Sequence, residues 1–376
     1  MTRVPTPVGP RRSGPAEQDV AVEIVDPRVD PEPSGWAKFR KRAATAPMWD
    51  YSLLRVEAWL SRNPPVLAVV REGGRVLGAC LAMLCGPARG QAFAPHPPRR
   101  WRPPAPCWAE VYLPWFSGHP AVVFRGHVPE AQQRALLRLF ERRLAEHVGV
   151  GLLGVVYRAL PTGLAGAASG PRRPRREIDP TTVLANRFDS VEDWIAALRP
   201  PVRQAVRESR AVAAELDVTA GAGRTDLDAA ELAALLNEHR ARQDARAWRS
   251  GQRARVAGLH LDTRSPVPTA YLDALVRRPE VTTRTYRNGT GTLLGFHTLI
   301  DGEGGMAMPH WAALPAERGG VARLSVDAYA RCVGNLVERG RPELTAGRTL
   351  LDLKAALGFD TRTLVSVAVP RPVLGR

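Results

Sequence analysis

Lysine is nearly missing from this sequence. Lys38, Lys41 and Lys354 are the three that occur, against fifty arginines in a chain with 53 basic side chains. Cysteine is scarce as well: Cys80, Cys85, Cys107 and Cys332 form no CxxC pair and none stands near a histidine. That spacing excludes the common zinc sites and reads as buried thiols in a reducing compartment. Aromatic residues are 6 % of the chain. No apolar run reaches the roughly 18 residues a membrane helix needs, and the N-terminal region has no hydrophobic signal core, so the expected location is cytoplasmic, without stable membrane insertion. GxSxG, HExxH and P-loop motifs are absent, and Gly289, Gly291 and Gly295 miss GxGxxG by one residue within a predicted turn. None of those frameworks is available for catalysis.

What remains is an ordinary globular composition with an unusual charge. Hydrophobic residues are 44 % and charged residues 24 %, enough for a packed core over most of the length. The net charge of +16 favours an anionic partner: nucleic acid, a phosphate-bearing small substrate or an acidic membrane surface. The competing explanation is a general enrichment in arginine spread over a solvated surface. A length of 376 residues suggests two domains.

Composition divides the chain. Residues 1–19 are Pro- and Arg-rich with little to bury, and are expected to be a disordered tail. An N-terminal domain is expected over 20–162. It holds a helix near 52–60, a hairpin at 65–84 turning on Glu72-Gly73-Gly74-Arg75, and a proline-laden loop at 86–106. A helix follows over 129–149, with Leu136, Leu137, Phe140, Leu144 and Val148 on one face. Residues 163–180, with Arg172, Arg173, Arg175 and Arg176, read as a basic linker. The C-terminal domain, 181–376, repeats the kinds of element: a capped helix at 188–198, a basic helix at 202–214, a hairpin around Asn288-Gly289, a third strand, a helix at 324–340, the strand PELTAG, the helix LDLKAALGF and a last strand. The fold class is mixed α/β, each domain a mostly antiparallel sheet flanked by helices.

Three stretches carry a resemblance. FDSVEDWIAALRPPVRQAVRESRAVAAELDVTA, GTLLGFHTLI and ELTAGRTLLDLKAALGF resemble, in order, a helix, basic helix and strand, a G-x-x-x-G-[FA] strand, and a strand-G-…-[FY]-K-x-x-[LF]-G-[FA] ending. They are similar to the duplicated, Fem-like branch of the GNAT acyltransferase superfamily, which includes aminoacyl-tRNA-dependent transferases and peptidoglycan-biosynthesis proteins. The resemblance spans most of the chain and implies two tandem GNAT-like domains. It implies amide formation on an acceptor amine, with aminoacyl-tRNA or acyl-CoA as cosubstrate and no other cofactor or metal.

One departure separates branches. CoA-dependent members carry [QR]-x-x-G-x-[GA], whose backbone N–H groups grip a pyrophosphate. Here the place reads Glu317-x-x-Gly320-x-Ala322, a carboxylate where a neutral or cationic donor is wanted, with Arg318 and Arg323 nearby.

The resemblance assigns Lys354 to the mouth of the transfer cleft, where a compact ammonium suits a developing negative charge; an ordinary snorkelling lysine is the alternative. His297 and His310, on adjacent predicted strands, are candidate bases for the attacking amine or mere sheet lining, and Trp311 offers a stacking surface. Arg203, Arg207 and Arg210 share a helix face suited to phosphates, and Arg348 flanks Lys354 as a substrate-binding candidate. The expected function is aminoacyl transfer from tRNA to a cell-wall precursor or a secondary metabolite. Acyl-CoA-dependent N-acetyl transfer and non-catalytic nucleic-acid binding are the alternatives.

Overall fold

Alternating apolar strands and one-sided helices assemble into a single long sheet in the computed structural model. It describes residues 20–43, 47–61, 63, 65–86, 106–116, 118–126, 128–249 and 266–376. The tail at 1–19 and most of the 86–106 loop lie outside the described residues.

The first half contributes β1 (Val20–Val25), β2 (Pro65–Glu72), β3 (Arg75–Cys85), β4 (Cys107–Val111), β5 (Val122–Phe124) and β6 (Leu152–Pro161). The second contributes β8 (Asp217–Ala222), β9 (Val281–Arg287), β10 (Leu293–Gly302), β11 (Gly305–Ala313) and β12 (Glu343–Thr345). Between them come β7 (Arg175–Ala185) and the terminal β13 (Asp360–Pro370). The strand order is β1-β2-β3-β4-β6-β13-β7-β12-β11-β10-β9-β8, with β5 attached to β3. In each half an antiparallel run ends in one parallel pair, β4 with β6 and β11 with β12. The two halves therefore share a plan.

They also exchange strands. β7 leaves the first half to pair with β12 of the second, while β13 leaves the second to pair with β6 of the first, and the two long strands pair with each other. The largest apolar core follows suit, joining Leu67, Phe140 and Tyr157 to Tyr271, Phe296 and Ile300.

Helices cover the sheet: α1 (Trp36–Arg42), α2 (Tyr51–Leu60), α3 (Glu130–Val148) and α4 (Thr162–Ala168) in the first half, then α5 (Val191–Ala197), α6 (Pro200–Ala214), α7 (Ala229–Arg249), α8 (Thr269–Val276), α9 (Leu324–Glu338) and α10 (Leu351–Ala356). Local chemistry starts several of them. Ser190 caps α5 by accepting from the Asp193 N–H at 3.1 Å, and Asp50 caps α2 through the Ser52 N–H at 3.0 Å.

The segment 163–180 is not a tether, contrary to expectation. It forms α4 and the start of β7, and Arg173 within it is buried. The Arg173 guanidinium meets the buried Glu141 carboxylate at 2.7 and 2.8 Å and donates to the Val373 carbonyl at 2.9 Å. A charge taken so far from water persists only with a partner of this kind. Here it fastens the C-terminus to α3.

Candidate functional site

The parallel pair of the second half opens a gap. β11 is nine residues long, yet only Met306 and Ala307 meet β12, so the sheet parts beyond them. The first half fills the neighbourhood with its 112–121 segment. Phe116 lies 5.9 Å from the His310 ring, and Gly118, at φ 92°, passes so close that a Cβ there would stand 2.9 Å from Thr181 Oγ1. Only glycine tolerates both that backbone and that approach.

Lys354 does not face a groove. Its residue is fully buried, and its Nζ donates to the carbonyl of Ala346 and, at 3.4 Å, to that of Gly347, with the Tyr329 ring 5.4 Å away. Burial pushes its ammonium down to about 7. The helix explains the difference from expectation. The inward positions are Lys354, on α10, and Leu357, its C-cap residue, three apart, and the short helix lies against the end of β12, so the lysine turns back beneath the strand. The same stretch is stitched to β7, since the Gly347 carbonyl also accepts from Thr182 N at 3.0 Å and Thr182 Oγ1 at 2.9 Å.

His297 and His310 sit on adjacent strands, as expected, but on opposite faces. His297 is level with Trp311, and His310 with Thr298. His297 turns towards Tyr286, whose hydroxyl donates to Asp327 on α9 at 2.9 Å; Trp311, half-buried, meets the same ring edge-on at 6.5 Å. His310 turns towards the first half. Burial pushes both imidazoles down to about 3, so both are neutral at physiological pH.

The basic candidates are on the surface. On α6, Arg207 is exposed and Arg203 and Arg210 half-buried, and none has an acidic partner among the described residues. Arg348 donates to the Asp179 carbonyl at 2.9 Å and lines a groove of about 460 Å³ with Arg175, Arg176, Glu177, Asp179 and Ser366. In the turn before α9, Gly320 lies against the chain: a Cβ would stand 2.1 Å from the Leu314 carbonyl oxygen. Ala322 is exposed, and Arg323 adopts φ 68° as the N-cap residue without a side-chain cap. Arg318 is paired with Glu238 at 2.5 Å and Arg323 with Glu208. Both arginines therefore already meet carboxylates.

Apart from His310, sequence reasoning missed a set of buried polar groups between the halves. Glu57, Trp115, Tyr271, Thr283, Thr298 and His310 each bury a side-chain N or O atom that makes no hydrogen bond. One signal was available. In YSLLRVEAWL, Glu57 falls three and four residues after Leu54 and Leu53, on the apolar face of its helix.

No family model matches the chain, and no curated protein matches it. Solved structures do. FemX is similar over 89 % of this chain and 96 % of its own, at 10 % identity and a TM-score of 0.52. The chain has the duplicated GNAT fold. A conserved protein of unknown function from Bacteroides thetaiotaomicron VPI-5482 is similar over 93 % of this chain and 100 % of its own, at 8 % identity and a TM-score of 0.53. A tandem GNAT protein from the clavulanic acid biosynthesis pathway is similar over 94 % and 98 %, at 15 % identity and a TM-score of 0.49. In this duplicated GNAT fold, the parallel pairs β4–β6 and β11–β12 mark equivalent places in the two halves. Among the described residues no helix is long and apolar enough to cross a membrane.

Proposed function

We propose that the protein is a cytoplasmic acyltransferase that forms an amide, with aminoacyl-tRNA as donor and an amine on a cell-wall precursor or small metabolite as acceptor. The amine lone pair attacks the ester carbonyl, the C–O bond to the ribose breaks, and the amine proton passes to the departing oxygen. His310, neutral and turned towards the space between the halves, is the favoured base. Lys354 serves this reading from behind, by holding the end of β12. The observation that supports it is the α6 face: Arg203, Arg207 and Arg210 at spacings of four and three, without acidic partners among the described residues.

Filter binding of aminoacyl-tRNA across a salt series tests the donor. Wild type is expected to bind with a steep salt dependence and to pass labelled amino acid to an amine. The triple change Arg203→Gln, Arg207→Gln and Arg210→Gln should lower the salt slope by about 2–3. Binding that the triple variant leaves unaltered would overturn the proposal. Binding without transfer would favour a non-catalytic nucleic-acid-binding protein.

The turn before α9 favours a second reading, acyl-CoA as donor, because tight packing at Gly320 and an uncapped helix N-terminus suit a pyrophosphate. Against it stand Glu317 and the carboxylates engaging Arg318 and Arg323. Calorimetry with acetyl-CoA decides between the donors: saturable binding that Gly320→Ala abolishes supports CoA, and no heat of binding excludes it.

A further inference from the structure

The orphaned polar groups between the halves are not scattered. Tyr271 on α8 stacks at 4.2 Å, tilted by 50°, on Trp115 of the 112–121 segment, and Phe116 lies 6.1 Å from the same tyrosine and 5.9 Å from His310. Glu57 comes from the inward face of α2, which packs on α8. Burial first, and then the Glu57 carboxyl, push the Tyr271 phenol up, while the Arg278 guanidinium, itself paired with Asp50 at 2.8 Å, acts in the opposite sense. Glu57 is 1 % exposed, Tyr271 0 % and Trp115 3 %, so these groups are screened from solvent. Across the sheet, Thr283, Thr298 and His310 are lateral neighbours on β9, β10 and β11 and continue the polar row.

Such an arrangement is costly to the fold. A buried carboxyl without a hydrogen bond forfeits its hydration, and the Trp115 indole N–H and the Tyr271 phenol do the same. Desolvation pushes the Glu57 carboxyl up to about 8, so it is held protonated at neutral pH. Proteins retain such groups where a ligand supplies the missing partner.

We propose that Glu57, Tyr271 and Trp115 form an internal subsite for a primary ammonium, and that this is the acceptor amine of the reaction above. The Glu57 carboxyl and the Tyr271 hydroxyl select that ligand, because both offer acceptors to a group that has only donors, while Trp115 contributes its ring face and not its N–H. Glu57 gives up its proton to solvent and supplies the anion, the Tyr271 hydroxyl accepts an N–H, and the faces of Trp115 and Phe116 attract the cation. The amine arrives where α2, α8 and the 112–121 segment meet, on the sheet face that carries His310. The assignment of the amine as acceptor rests on the transferase reading; the subsite itself does not.

Thermal unfolding of the full-length protein at pH 7 with n-pentylamine, and with n-pentanol as an uncharged control, tests it. Saturating pentylamine is expected to raise Tm by about 2 °C and pentanol to leave it unchanged. Glu57→Gln keeps the shape and removes the anion, and should lose the response. Glu57→Leu should unfold at or above the wild-type temperature without ligand and be equally unresponsive. No rise in wild type, or the same rise in both variants, would overturn the subsite. Salt-dependent tRNA binding, measured on the same preparation, reports on the donor reading separately.

Discussion

A single lysine within an arginine-rich sequence has a packing explanation. The Lys354 slot ends at two carbonyl oxygens under an aromatic ring, and one nitrogen on a thin stem reaches both. A guanidinium is planar and bulkier than an ammonium, and the Lys354 side chain is already fully buried. Lys354→Arg is therefore expected to overpack the site and cost about 1–3 kcal/mol. Lys354→Met fills the stem but removes a donor from the Ala346 carbonyl, a comparable loss of about 1–3 kcal/mol. Urea unfolding of both variants measures this. An arginine variant as stable as wild type would show that the slot is not selective. A methionine variant that stays folded at the assay temperature yet loses most turnover would return Lys354 to the chemistry.

At the scale of elements, what could be read from the sequence was whatever local pattern decides. The Glu72-Gly73-Gly74-Arg75 hairpin, the Asn288-Gly289 turn, the capped start of α5 and the apolar face of α3 formed where turn chemistry and periodicity placed them. β7 escaped because its N-terminal half, RREIDP, is charged and largely exposed, and its partners are β12 and β13, far away in sequence. The histidines divide in the same way. Their strands were legible, but a one-residue offset in register sets His297 and His310 on opposite faces, and register depends on pairing. Lys354 was placed on the right helix, while its direction followed from how α10 meets β12. Glu57 was visible as an acid on an apolar stripe, but its neighbours Trp115 and Tyr271 come from elements that only tertiary packing brings near.

For the whole molecule, the exchange of β7 and β13 makes the halves interdependent. Cut at residue 170, the first half would give up its own β7, lack β13 along the β6 edge and lose Arg173 beside the buried Glu141. An unpaired strand edge and a buried carboxylate left with only Arg138 at 3.4 Å and the Tyr157 hydroxyl at 3.1 Å both destabilise a domain of that size. The piece from 171, which takes β7 with it, keeps its sheet continuous from β13 to β8, since β13 also pairs with β7, but it would bare Tyr271, which Trp115 and Phe116 of the first half cover. Fragments 1–170 and 171–376 are therefore expected to behave unequally. The first should be insoluble when expressed alone, and co-expression with the second should recover it as a complex that survives affinity capture through a tag on either piece. Recovery of 1–170 as a soluble, cooperatively unfolding protein by itself would mean that the exchanged strands are an accessory to two self-sufficient domains.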